Sequence, residues 1–92
     1  EGPSEQARES GYYVIEMLGK HPVDASLNIR ARVRGDRDPG HGSTSKMLAE
    51  SAVCLAQDPL SSPGGVLTPV SAMGEALLAR LMENAGVSFE VL

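Results

Sequence analysis

The chain has 92 residues, 41% of them hydrophobic, with 12 acidic and 8 basic side chains and a formal charge of −4. That length supports one small domain burying about 60–65% of its unfolded surface, and the acidic balance argues against a binder of the phosphate backbone of nucleic acid. Only Tyr12, Tyr13 and Phe89 are aromatic, too few for a base-stacking surface. The single cysteine, Cys54, rules out an internal disulfide and a multi-cysteine zinc site. No apolar run approaches the length of a membrane span, and no signal-peptide pattern opens the chain. Composition therefore predicts a soluble cytoplasmic protein with no metal and no nucleic-acid partner.

Residues 1–10 are polar, contain Gly2 and Pro3, and read as a linker or tail. Residues 11–18, with Tyr12, Tyr13, Val14 and Ile15, predict a strand that is apolar on both faces. Gly19-Lys20-His21-Pro22 supplies a turn. Residues 26–34 predict a second strand, with Leu27, Ile29, Ala31 and Val33 on one face and Asn28, Arg30, Arg32 and Arg34 on the other. The short connection pairs the two antiparallel. After a loop over 35–42, Ser43, Thr44 or Ser45 is expected to cap a helix running to about Gln57. Its apolar stripe is Leu48, Ala52, Leu55 and Ala56, widened by Met47, Ser51 and Cys54; Asp58-Pro59 stops it.

Residues 60–67 form a second loop. Thr68 caps and Pro69 opens another helix, which runs to about Asn84. Met73, Leu77, Leu78 and Leu81 supply its buried stripe, which Gly74 interrupts. Gly86 is a left-handed terminator, and residues 87–92 alternate as a last strand. A chain without an initial methionine that closes on a strand reads as the C-terminal domain of a longer protein, occupying residues 11–92. The order β-β-α-α-β predicts an α+β fold, a small two-layer domain with an antiparallel hairpin and two helices on one sheet face.

Residues 35–45 place a strand, a glycine loop and a helix start in succession, an order that can cradle phosphate. The spacing Gly35-x4-Gly40 lacks the lysine of a P-loop: His41 follows Gly40, and Lys46 lies inside the helix. Asp36 and Asp38 would repel phosphate and Pro39 removes an amide, so a tight strand-to-helix connection is the favoured reading. No G-x-G-x-x-G motif is present, so no cofactor-binding residue is expected in this chain. Arg30, Arg32 and Arg34, extended by Arg37, form a basic stripe. They are candidates for holding an anion in guanidinium forks. The alternatives are a solvated face paired with Glu16 across the hairpin, or a face that meets another domain. His21 and His41 lack the neighbours of a zinc site, and Cys54 reads as a small buried hydrophobe. No catalytic residue can be assigned.

Two blocks carry a family resemblance. The first is Val33-Arg34-Gly35-Asp36-Arg37-Asp38-Pro39-Gly40-His41 followed by the helix from Met47 to Ala56. The second is Gly64-Gly65-Val66-Leu67-Thr68-Pro69, then Leu77, Arg80-Leu81, Ala85-Gly86-Val87 and Phe89-Glu90-Val91. Together they resemble the C-terminal end of saccharopine dehydrogenase-like oxidoreductases, a group that includes trans-acting enoyl reductases. His41 departs from the tyrosine that relatives often carry. The resemblance implies an NAD(P)-dependent parent protein whose N-terminal Rossmann domain binds the cofactor and is the partner of the present residues. This chain would complete the substrate-side domain and be inactive alone. A non-catalytic interaction or dimerisation module is the alternative. The first strand, apolar on both faces, lacks an evident cover and predicts a homodimer of the isolated chain.

Overall fold

Alternation along the middle strand organises the sheet. In the computed structural model, which describes residues 2–92, the elements are α1 (Glu5–Ser10), β1 (Tyr13–Gly19), a 3-10 turn (Ala25–Leu27), β2 (Ile29–Gly35), α2 (Gly42–Gln57), α3 (Pro69–Asn84) and β3 (Val87–Val91). The strands form one antiparallel sheet in the order β1-β2-β3. The expected α+β architecture is the one observed. Register places Ile15, Val33 and Phe89 side by side, and next to them Met17, Ala31 and Val91. Side chains alternate across a strand, so this face is apolar while the opposite one carries Glu16, Arg32 and Glu90.

Several expectations change. The stretch read as a tail forms α1, capped by Ser4, whose side chain accepts from the amide of Ala7. Its Arg8 carbonyl accepts from the amide of Asp38 at 3.2 Å, which docks the segment on the loop before α2. Ser26 and Leu27 belong to the 3-10 turn, so β2 begins three residues later than expected, at Ile29. Asp24 organises that turn by accepting from both the amide and the hydroxyl of Ser26.

The cap of α2 is neither Ser43, Thr44 nor Ser45. Asp38 reaches forward, and its carboxylate accepts from the amides of Gly40, His41 and Gly42 at 3.0, 3.0 and 2.7 Å. These are donors that a helix start leaves without intrahelical partners. The three hydroxyls bond elsewhere: Ser43 to the Tyr13 hydroxyl, Thr44 to the Pro39 carbonyl and Ser45 to the Gly42 carbonyl. The buried line of α2 is also rotated from the expected stripe. Ser43 and Cys54 are buried, whereas Leu48 and Leu55 are 70% and 58% exposed.

In α3 the expected Thr68 cap is present, its hydroxyl oxygen accepting from the Ser71 amide. A threonine there is worth about 1 kcal/mol over alanine. Gly74, at φ 51 and ψ −130, breaks the helical path, so α3 is two segments joined by a kink. Gly86 ends the helix at φ 66, and its carbonyl accepts from the Asp36 amide at the end of β2.

The core is thin. Cys54, Met73 and Leu77 are buried together, with Leu60, Ala72, Ala76 and Leu81 packed around them. Val87 and Ala85 are buried where α3 turns into β3. The helices therefore meet the apolar sheet face near its Tyr13–Gly35–Val87 end. Further along that face Ile15, Met17 and Val91 stay 50%, 47% and 77% exposed. The Cα radius of gyration is 15.7 Å, against about 12 Å for a compact chain of this length. The accessible surface is 6627 Å², roughly 1,500 Å² more than the roughly 5,100 Å² of a compact monomer of this mass.

Candidate functional site

The arginine stripe forms, as alternation requires, on the polar sheet face, but its members are not equivalent. Arg30 approaches Glu16 at 3.8 Å. Arg32 lies between Glu16 and Glu90, at 3.0 and 3.4 Å, the pairing across the hairpin that strand register permits. Arg32 is held in its charged form chiefly by the hydrogen bond to Glu16. Arg34 has Val14 on one side and Ser88 on the other in the ladder. Among the described residues it has no ion-pair partner. Arg37 pairs with Asp36 beside it, at 3.7 Å, and lies off the sheet.

At the open end of this face is a cleft of roughly 410 Å³, walled by Tyr12, Tyr13, Arg34, Asp36, Gly86 and Ser88. Two glycines in its wall let side chains pack directly on the backbone. A Cβ at Gly35 would enter the Tyr13 ring, and one at Gly86 would strike the Asp36 carboxyl.

The loop before α2 settles differently from a phosphate cradle. Its converging amides are taken by Asp38, whose carboxyl lies below its usual range chiefly because the Gly42 amide donates to it, helped by those of His41 and Gly40. The chain's own carboxylate sits where a phosphate would need the donors.

The most tightly tied polar group was not legible in the sequence. The Arg80 guanidinium forks onto both Asp58 oxygens at 2.6 and 2.7 Å, and its third nitrogen reaches Glu50 at 3.3 Å. Asn84 donates to the same Glu50 oxygen at 3.0 Å. The cluster locks the end of α2 to the second half of α3. The bond from Arg80 holds the Asp58 carboxyl at about 2, with the Cys54 thiol adding a further hydrogen bond. Burial pushes the Cys54 thiol up, and the neighbouring Asp58 adds to the rise, which makes it inert as a nucleophile. The Asp58 side of this cluster had shown only as a helix stop, because pairing across two helices leaves no mark in local spacing.

His21 serves its own turn, its Nδ1 accepting from the amides of Val23 and Asp24. Among the described residues no group of three or more His, Cys, Asp or Glu side chains is placed to hold a metal ion. No helix among them is long and apolar enough to cross a membrane.

A separate apolar groove of roughly 350 Å³ lies where the helices approach the sheet, lined by Met47, Val70, Leu77, Leu78, Leu81 and Phe89. Leu78, expected to be buried, stands 38% exposed here. With Phe89 as the link, it joins the open half of the sheet face.

Comparison with known proteins gives this surface a context. No family model matches the chain, and no solved structure matches it. A Mycobacterium tuberculosis protein named among the trans-acting enoyl reductases is 48% identical over 91 residues, covering 97% of this chain and 21% of the relative. The chain is related to trans-acting enoyl reductases. Those of Mycobacterium ulcerans and Mycobacterium bovis are 40% and 42% identical over 88 residues, each match covering 94% of this chain and 20% of the relative. The chain thus spans about a fifth of the length of the curated relatives it matches. These relatives are named for enoyl reduction and not for saccharopine.

Proposed function

We propose that these residues are the C-terminal, non-Rossmann part of an NAD(P)-dependent, saccharopine dehydrogenase-like oxidoreductase that reduces an enoyl group, and that they are inactive alone. The observation that carries this reading is the uncovered apolar surface. An excess of roughly 1,500 Å² is the area that one side of a permanent interface buries. Part of it lies on the apolar sheet face, where Ile15, Met17, Phe89 and Val91 stay 38–77% exposed beside the helix groove that Phe89 also lines. Its proposed cover is the remainder of the parent polypeptide, including the N-terminal Rossmann domain. In this reading that domain takes the nicotinamide cofactor, and the loop amides of this chain are used by its own Asp38. The present residues complete the substrate side.

Calorimetric titration of the 92-residue protein with NADPH should give no saturable binding. A polypeptide of the relatives' length that contains these residues should oxidise NADPH in the presence of an enoyl thioester. Deleting residues 11–92 from it should abolish reduction while leaving NADPH binding in place. Micromolar binding by the 92-residue chain, or full reduction after the deletion, overturns the reading.

A second reading, a non-catalytic dimerisation module, is favoured by one observation. Strand β1 is an edge strand of seven residues whose Val14, Ile15, Met17 and Leu18 are 42–56% exposed, and edges of that kind pair with other chains. Sedimentation equilibrium of the isolated chain should show a dimer that dissociates on dilution. A strict monomer at high concentration removes this reading.

A further inference from the structure

The polar face of the sheet satisfies one arginine of β2 and leaves the next unsatisfied. Arg32 is bracketed by carboxylates on both neighbouring strands, whereas Arg34, one pleat further along, stands between Val14 and Ser88. Its side chain helps to wall the roughly 410 Å³ cleft. The one acid in that wall, Asp36, is already paired, with Lys46 at 3.5 Å and Arg37 at 3.7 Å. Two cations thus offset the one carboxylate of the wall, and Arg34 keeps its charge without a partner among the described residues. Tyr12 and Ser88 add two hydroxyls that can donate.

We propose that Arg34 holds a small anionic group, a carboxylate or a phosphate, in this cleft, with the Tyr12 and Ser88 hydroxyls as further donors. A guanidinium suits such a group because its planar fork matches two oxygens at once. The proposal narrows the three-arginine stripe to one residue. Arg30 and Arg32 are partnered by Glu16 and Glu90 and serve the sheet instead. It concerns the isolated chain and does not depend on the parent's reductase activity.

The test is amide-resolved NMR of the ¹⁵N-labelled 92-residue protein, titrated separately with inorganic phosphate and with acetate, ionic strength being held constant with sodium chloride. Saturable shifts are expected at Tyr12, Arg34, Gly86 and Ser88, and the tighter of the two probes identifies the group. Arg34→Gln should weaken binding at least tenfold, Arg34→Lys should retain part of it, and Arg30→Gln should leave it unchanged. Ser88→Ala, which leaves the guanidinium in place, should weaken it several-fold. Equal shifts with chloride alone, or phosphate and acetate affinities that Arg34→Gln leaves untouched, would overturn the proposal.

Discussion

Replacing Gly86 by alanine should destabilise the protein by about 2 kcal/mol or more, among the largest effects expected of any single methyl group here. Two penalties coincide. Gly86 sits at φ 66, a left-handed conformation that costs an L side chain roughly 1–2 kcal/mol. The added Cβ would also strike the Asp36 carboxyl, which must then swing away from Lys46 and Arg37. A double-mutant cycle in urea separates them. In the Asp36→Ala background, Gly86→Ala should lose the steric part of its effect and keep the conformational part, so the two changes are non-additive. Strict additivity would show that the approach of Asp36 to Gly86 carries no energy.

Acid should unfasten the two main helices, and Asp58→Asn should remove most of that sensitivity. The Asp58 carboxyl lies at about 2 in the folded chain, below its ordinary value of 3.8, chiefly because Arg80 donates two hydrogen bonds to it. A folded-state pKa below the unfolded one means that the unfolded chain binds more protons as pH falls. The stabilisation is therefore complete above about pH 5 and drains away as pH falls through 4 towards 2. Asp38 and Asp24 are shifted in the same direction by amide and hydroxyl donors, and add to the slope. Arg80 stays charged throughout. Urea midpoints measured from pH 7 to pH 2 should fall steeply for the parent. For Asp58→Asn they should start lower at pH 7 and fall less. Parallel curves for the two proteins would mean that Arg80 and Asp58 are not coupled in solution.

Local chemistry explains why so much of the framework could be read in advance. The β2 alternation, Thr68-Pro69 at a helix start, Gly86 at its end and Asp58-Pro59 after α2 all act within a few residues. Where the reading failed, a partner from farther away had intervened. Three serine and threonine hydroxyls stood ready to cap α2, yet Asp38 reached its amides first from the preceding loop. The α2 stripe drawn through Leu48 and Leu55 satisfied helical spacing. The helix instead presents Ser43 to Tyr13 and Cys54 to Met73 and Leu77, because those are the surfaces the sheet and α3 offer. The supposed tail became α1 because the loop at Asp38 gives it a docking bond.

The sequence by itself determined the order of the three strands and two main helices, the antiparallel hairpin and the basic stripe on one sheet face, since period-two alternation and turn chemistry are properties of neighbouring residues. Tertiary structure alone decided which charges are paired. Register gave Arg32 two carboxylates and Arg34 none, and helix packing brought Arg80 onto Asp58 across 22 positions of chain. It also decided how much of the apolar sheet face the two helices cover. Composition counts apolar residues without saying which of them find one another, and here the helices meet only the Val87 end while Ile15, Met17 and Val91 remain in water.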